Sequence, residues 1–279
     1  MLLSPGGIVR STPLTDAELA HRFSVDGISL AGHLALPRTS GGRRPGVVLC
    51  HGFPTGHGSG PKSAHTYPQL AERIAQDVDC VVLAFNFRGC APSDGRFSMA
   101  GWRNDVRAAV ADLVERPDVS GVVAVGFGTG GALCICAAAG DLRIHAVAAL
   151  GAPADFGDWA GSPRQLAEHA DSLGLFGARG IPQDFNEWSR DLRSIRAVSC
   201  AEELSPRPLL VMHGAEDQTV PALDARAVAD AHGAAELKIV GGAGHQLRHD
   251  PRAIALLLGW LDRQRAEVAR NTVPVHQLP

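Results

Sequence analysis

The chain has 279 residues, of which 45% are hydrophobic, and its formal net charge is −3. This length and apolar content suffice for one α/β domain with a small insertion, whereas two unrelated domains would be cramped. The charge offers no basic surface for nucleic acid, and no run of about 18 apolar residues is available to span a bilayer.

The first residues and the cysteines favour a cytoplasmic protein. The start, Met1-Leu-Leu-Ser-Pro-Gly-Gly, lacks the charged and apolar regions of a secretory signal. The six cysteines lie mostly in apolar runs without C-x-x-C spacing. Such cysteines are typical of reduced, buried thiols rather than of disulfides or a zinc site. We therefore expect no metal, no membrane association and no nucleic-acid partner.

Strand and helix patterns alternate along the chain. Residues 21–25 and 28–36 alternate apolar and polar positions, which predicts an antiparallel edge hairpin. Continuous apolar runs predict buried parallel strands at 46–50, 81–85, 122–125, 146–150, 209–212 and 237–240. Helical periodicity predicts helices at 67–76, 102–114, 222–232 and 251–265. The pattern indicates a mostly parallel sheet of about eight strands with helices on both faces.

One segment, 155–205, interrupts this alternation. It contains no strand candidate but has polar, helix-like pieces at 164–173 and 185–196. Because open α/β sheets bind ligands at the carboxyl ends of their strands, we expect a small helical cap or lid there, with a surface excursion as the alternative. The predicted organisation is a core of 1–154 and 206–270, a cap of 155–205, and a short extended or disordered tail of 271–279.

The most informative stretch is a glycine-rich turn between a strand and a helix. The run Val122–Val125 leads into Gly126-Phe-Gly-Thr-Gly-Gly131. This spacing is that of the nucleophile elbow Gly-x-Ser-x-Gly, with Gly128 where the serine belongs. The glycines also match a dinucleotide fingerprint formally, but the strand lies outside the first βαβ unit and no acidic residue follows the next strand. We therefore expect no cofactor.

Several signatures in this order resemble the α/β-hydrolase family over about residues 20–265. They are His51-Gly-Phe53, Asn86-Phe-Arg-Gly-Cys-Ala-Pro-Ser-Asp-Gly95, the elbow at 126–130, and His213-Gly-Ala-Glu-Asp-Gln-Thr-Val-Pro221 followed by Gly241-Gly-Ala-Gly-His245. The resemblance is strongest to the lysophospholipase-like and serine-aminopeptidase-like hydrolases. It implies the α/β-hydrolase fold and a small ester, thioester or amide as substrate.

The resemblance also implies a set of site residues. It places the general base at His245 and the carboxylate that orients it at Asp217. It places the two backbone N–H groups of an oxyanion hole on Phe53 and Thr129. The nucleophile position, Gly128, has no side chain and cannot form an acyl-enzyme.

Other interpretations of individual residues remain open. Asp217 could cap the helix near residue 222 instead, and His245 could be a solvated loop residue. His51 is expected to stabilise its turn beside the substrate rather than to act as the base. Further substrate contacts are expected from three aromatic residues of the cap, unless they form the cap's own core: Trp159, Phe176 and Trp188.

The missing nucleophile leaves several functions open. Thr129 or Cys50 could attack the substrate, or His245 with Asp217 could activate a water molecule for direct hydrolysis. The principal expectation is a hydrolase acting on a small acyl substrate. The alternatives are a non-catalytic small-molecule binder on the same scaffold and an engineered inactivation of a serine enzyme at Gly128.

Overall fold

A computed structural model describes residues 20–39, 41–54, 59–177, 180–182 and 184–271. Within these ranges one sheet of eight strands is formed. The strands are β1 (His21–Val25), β2 (Ile28–Ala35), β3 (Arg44–Cys50), β4 (Val81–Phe85), β5 (Val119–Phe127), β6 (Ile144–Leu150), β7 (Leu209–Gly214) and β8 (Glu236–Val240). The predicted tail lies outside the described residues, apart from Asn271.

The sheet has the order β1-β2-β4-β3-β5-β6-β7-β8. β1 pairs antiparallel with β2, and β2 pairs antiparallel with β4. All the remaining pairs, from β4 and β3 through to β7 and β8, are parallel. The expected edge hairpin and mostly parallel sheet are therefore confirmed.

Helices cover both faces of the sheet. They are α1 (Ser59–Val78), α2 (Met99–Val114), α3 (Thr129–Ala139), α4 (Gly157–Gly161), α5 (Pro163–Ser172), α6 (Phe185–Ser194), α7 (Ala197–Leu204), α8 (Ala222–His232) and α9 (Pro251–Asn271). α1 and α9 pack on one face, and α2, α3, α7 and α8 on the other. In the described ranges no helix combines the length and the apolarity that crossing a membrane requires.

The buried side chains of β3 show why its sequence is apolar at successive positions. Val47 and Leu49 belong to the core layer under α1 and α9. Val48 and Cys50 belong to the opposite layer. Successive side chains of a strand point to opposite faces, so a strand covered on both sides needs apolar residues throughout.

The cap is shorter than the sequence predicts. α4, α5 and α6 lie in the inserted segment, and a single antiparallel bridge joins Asp155 to Arg196. α7 follows at once but packs against α3 and α8, so it belongs to the helical layer of the core. The expected range of 155–205 is therefore too long at its end, because the core resumes at Ala197.

A buried ion pair fixes the loop that follows β4. The Arg88 backbone N–H donates to Asp105 Oδ2 at 2.9 Å, and its guanidinium Nε donates to Oδ1 at 2.8 Å. The Asp105 side chain is fully buried, and burial raises its pKa while the Arg88 hydrogen bonds oppose that rise. The Arg88 carbonyl in turn accepts from Trp102 Nε1 at 2.9 Å. α2 thereby holds the loop that packs beneath the site.

Replacing Asp105 should be costly, because the Arg88 guanidinium would lose its buried partner. We expect Asp105→Asn to lower the free energy of unfolding by about 3 kcal/mol in urea titrations. Asp26 binds the same guanidinium at 2.8 Å but is 53% exposed. The matched variant Asp26→Asn should cost less than about 1 kcal/mol. Equal costs for the two variants would contradict this account.

Candidate active site

Loops from four parallel strands meet at the carboxyl edge of the sheet. The loops after β3, β5 and β8 bring Phe53, Gly128 and His245 to one cavity of about 460 Å³. Thr129 lines the same cavity. Asp217, in the loop after β7, lies behind His245 and is fully buried. The structure thus brings together all five residues that the resemblance implies for the chemistry.

The turn at Gly128 has a backbone conformation that few side chains tolerate. Its φ is 52° and its ψ is −126°, a region that glycine adopts without strain. A Cβ built there would lie 3.5 Å from His245 Nε2 and would meet only ordinary contacts. Gly130 is required for a different reason, since any Cβ there would collide with the His51 carbonyl. The elbow therefore keeps its shape around a position directly facing His245.

Asp217 is held as a hydrogen-bond acceptor for His245. The distance from His245 Nδ1 to Asp217 Oδ2 is 2.8 Å, and Oδ1 accepts the backbone N–H groups of Thr219 and Val220 at 2.8 and 2.9 Å. Burial opposes ionisation of Asp217, but these hydrogen bonds outweigh it, so its pKa lies below the usual value. α8 begins after Pro221 without a side-chain cap, so Asp217 does not cap that helix.

The start of α3 lies at the cavity. Thr129 is the first residue of α3, where amides have no intrahelical acceptor and the helix dipole is positive. Phe53 lies across the cavity on the loop after β3, as a second source of a backbone N–H. This arrangement suits a developing negative charge next to Gly128.

His51 supports the site from below and does not line the cavity. It is 4% exposed, its Nε2 accepts the Phe87 N–H at 3.3 Å, and its Nδ1 lies 2.7 Å from the Gly52 carbonyl oxygen. Nε2 is therefore the acceptor, and Nδ1 carries the proton that it donates to Gly52. The expectation of a substrate contact at His51 is corrected, because burial leaves it only a structural role in the loop that carries Phe53.

Only one of the three aromatic cap residues reaches the cavity. Trp159 lines it and packs edge-on against Phe53, with ring centroids 5.0 Å apart. Phe176 and Trp188 instead pack on Phe97, at centroid distances of 6.2 and 5.8 Å. Both are almost completely buried. The expected substrate contacts at Phe176 and Trp188 are therefore wrong, since these rings anchor the cap to the core.

Cys50 is not positioned to replace the missing nucleophile. Its side chain is fully buried, and Cys50 is not among the residues that line the cavity. Burial and a neighbouring thiol, Cys134, raise its pKa well above the usual value, which disfavours a reactive thiolate. In the part of the chain that the structure describes, no group of three potential ligands is arranged to hold a metal ion.

Several residues of the cavity wall were not anticipated. α5 contributes the apolar Leu166 and the more polar His169, three residues apart on one helix face. The acidic residues are Asp155, Asp158 and Asp224. Among the described lining residues there is no lysine or arginine. Helical spacing could have paired Leu166 with His169, but no local pattern reveals which loop carboxylates face a cavity.

The burial of His51 predicts a loss of stability in acid. Burial lowers its pKa from 6.5 to about 4, so the unfolded chain takes up a proton at a higher pH than the folded protein does. The stabilisation is complete above pH 6.5 and is lost as the pH falls towards 4, by about 3 kcal/mol. The free energy of unfolding, measured by denaturant titration between pH 7 and 4, should therefore fall less steeply in His51→Gln than in the unmodified protein. If the free energy of unfolding depended on pH in the same way in both proteins, a contribution of His51 would be excluded.

Comparison with known proteins agrees with this architecture. The sequence profile of the Alpha/beta hydrolase family matches residues 47–257. Uncharacterized proteins from two Mycobacterium tuberculosis strains, CDC 1551 / Oshkosh and H37Rv, are each 28% identical over 238 residues, which cover 82% of this chain and 71% of theirs.

Two solved structures illustrate the shared fold. Est1E from Butyrivibrio proteoclasticus with bound ferulic acid has a TM-score of 0.67 at 22% identity, covering 90% of this chain and 100% of that one. A mutant meta-cleavage product hydrolase from Pseudomonas fluorescens, complexed with acetates, has a TM-score of 0.64 at 19% identity, covering 89% and 99%. At these identities the likeness shows the fold alone.

Proposed function

This chain belongs to the alpha/beta hydrolase family, and on that premise we propose that it hydrolyses a small acyl substrate by direct attack of water. The observation that carries the proposal is the position of His245 Nε2, 3.5 Å from where a Cβ of residue 128 would be. A base at that distance from the nucleophile position can act on whatever group occupies it. At Gly128 the protein itself supplies no such group.

The volume next to Gly128 is suited to a water molecule. A serine side chain would fill roughly the volume of one water, about 30 Å³. A water there can donate a hydrogen bond to His245 Nε2, since Nδ1 carries the proton given to Asp217. Its oxygen would then stand beside the start of α3, where the carbonyl oxygen of an acyl group would be bound.

The reaction then proceeds by general base catalysis. His245 Nε2 takes a proton from the water as its oxygen attacks the acyl carbon, and Asp217 stabilises the imidazolium. The backbone N–H groups of Phe53 and Thr129 receive the negative charge on the former carbonyl oxygen. When the bond to the leaving group breaks, His245 returns the proton to it. The products are the free acid and the alcohol or amine, and no acyl-enzyme forms.

The cavity wall indicates which substrates fit. Trp159 and Phe156 pack with their rings 5.0 Å apart and provide an apolar surface beside Phe53. The acidic residues of the wall disfavour a negatively charged acyl group, because no described cation of the lining offsets them. We propose an uncharged or cationic acyl compound of small size as the substrate.

Restoring a hydroxyl at the elbow tests the site directly. We expect Gly128→Ser to raise kcat/KM for aryl esters by roughly a hundredfold or more, because a tethered hydroxyl attacks more readily than a bound water. Gly128→Ser should also be labelled by a fluorophosphonate and show an acyl-enzyme in intact mass spectra. The unmodified protein should turn over slowly without either signature.

Matched variants separate the alternatives. His245→Gln should abolish the slow turnover of the unmodified protein, because it removes the base. Turnover that survives this change would refute base-assisted hydrolysis. An unmodified protein that binds aryl esters without any turnover would favour a non-catalytic binder. Labelling of the unmodified protein, mapped to a peptide containing Thr129, would instead identify a covalent nucleophile.

The charge of the cavity can be tested with isosteric esters. We compare aryl esters that differ only in the group at the end of the acyl chain. We expect kcat/KM to be roughly tenfold higher with a trimethylammonium group than with a sulfonate. The neutral aryl ester with a tert-butyl group at the end of its acyl chain should lie between them. Asp158→Asn should reduce the ratio of kcat/KM for the cationic ester to kcat/KM for the anionic ester by roughly fivefold. Asp171 is an exposed residue of α5 outside the cavity. The control Asp171→Asn should leave this ratio unchanged. Equal effects of the two variants would refute the role of Asp158 in disfavouring anionic acyl groups.

A further inference from the structure

His213 is a fully buried histidine of β7 that touches the carboxylate of Asp217. Its Nε2 lies 2.9 Å from the Val220 carbonyl oxygen and 3.1 Å from Asp217 Oδ2. Both side chains of the pair are 0% exposed. This is therefore a second imidazole on the same carboxylate as His245, inside the protein rather than at the cavity.

The surroundings of His213 determine which nitrogen carries the proton. Two oxygen acceptors converge on Nε2, so an unprotonated Nε2 would set its lone pair against theirs. Nδ1 is buried and has no hydrogen-bond partner among the described residues. A proton on Nδ1 would be an unpaired donor in a dry site. Nε2 is therefore the donor: it hydrogen-bonds to the Val220 carbonyl and also lies against Asp217 Oδ2.

The His213 Nε2–H group adds a contact to those that already hold the Asp217 carboxylate. Oδ1 already accepts two backbone N–H groups, from Thr219 and Val220. Oδ2 accepts from His245 Nδ1 at 2.8 Å and lies within reach of His213 Nε2. Three hydrogen-bond donors and the nearby His213 N–H thus restrict the orientation of the carboxylate. Every donor also draws negative charge away from the contact with His245.

We propose that His213 is a positioning residue that holds Asp217 in place and, through it, limits the basicity of His245. The proposal rests on the proposed function in one respect, namely that His245 is the base. It adds a residue that touches neither the cavity nor the substrate. Its Nε2–H group competes with His245 for the electron density on Oδ2.

Other charged groups near His245 stay constant in the test. Asp224 of α8 and His169 of α5 line the cavity, and the cap contributes Asp155 and Asp158. The loops on either side carry Glu216 and Arg248. None of these residues is altered in the variants of His213.

The test reads the titration of His245 by NMR in the full chain with ¹³C-labelled histidine, without substrate. His213→Leu removes the donor, and we expect the midpoint of the His245 titration to move to higher pH as Asp217 becomes a stronger acceptor. His213→Gln retains an N–H that can reach Oδ2, and it should restore the original value. In the Gly128→Ser background, the lower limb of the pH profile of kcat/KM should move by the same amount.

A matched control is available in α8. His232 is 3% exposed, and its Nε2 lies 2.9 Å from the Arg207 carbonyl oxygen, away from the site. His232→Leu should lower stability without moving the His245 titration. An unmoved titration in His213→Leu, or an equal shift in His232→Leu, would overturn the proposal.

A measurement on the unmodified protein covers the case in which His213→Leu does not fold. The ¹⁵N shifts of His213 should identify Nε2 as the protonated nitrogen and Nδ1 as the bare one, and the opposite assignment would also overturn the proposal. Because the two NMR measurements need no turnover, they test the proposal even if esters are not the substrate. Conversely, ester hydrolysis that depends on His245 would survive a failure of the proposal.

Discussion

The site depends on the abrupt turn by which β5 passes into α3. At Gly128 the chain takes a positive φ, and the N–H of that residue donates to the Leu150 carbonyl at 2.8 Å. Two residues later Gly130 lies so close to the His51 carbonyl that no Cβ fits between them. The start of α3 is thus fixed against both the loop after β3 and the end of β6. Backbone packing alone therefore positions Thr129, the first residue of α3, beside the cavity.

Most of the sheet could be predicted from the sequence because its strands are buried on both faces. β3 and β5 are apolar at successive positions, which few other structures require. α7 was missed for a physical reason. It is eight residues long and packs through Ala197, Ala201 and Leu204, and alanine gives a weak periodic signal. Its place beside α3 and α8 is a tertiary property that no local pattern contains.

The placement of Asp217 and His245 at one edge of the sheet could be predicted from the sequence, whereas the cavity wall could not. Asp217 and His245 follow strands directly, so the order of strands brings their loops together. The aromatic residues Trp159 and Trp188 are alike in the sequence, yet one lines the cavity and the other packs on Phe97. The difference arises from how the cap helices sit on the loop after β4. That contact joins residues about 90 positions apart.

The contacts that hold the site do not involve a side chain at residue 128. Asp217 accepts hydrogen bonds from its own loop and from His245, and His213 Nε2 lies 3.1 Å from its Oδ2. His51 is held by hydrogen bonds with Gly52 and Phe87. A serine at residue 128 would add a contact to His245, but its backbone would be strained at this positive φ. Glycine adopts the same φ without strain. His245, Asp217 and the start of α3 therefore stay assembled without a side chain at residue 128. Under the proposed direct attack of water, glycine at residue 128 changes which atom attacks but leaves unchanged the backbone that would receive the charge.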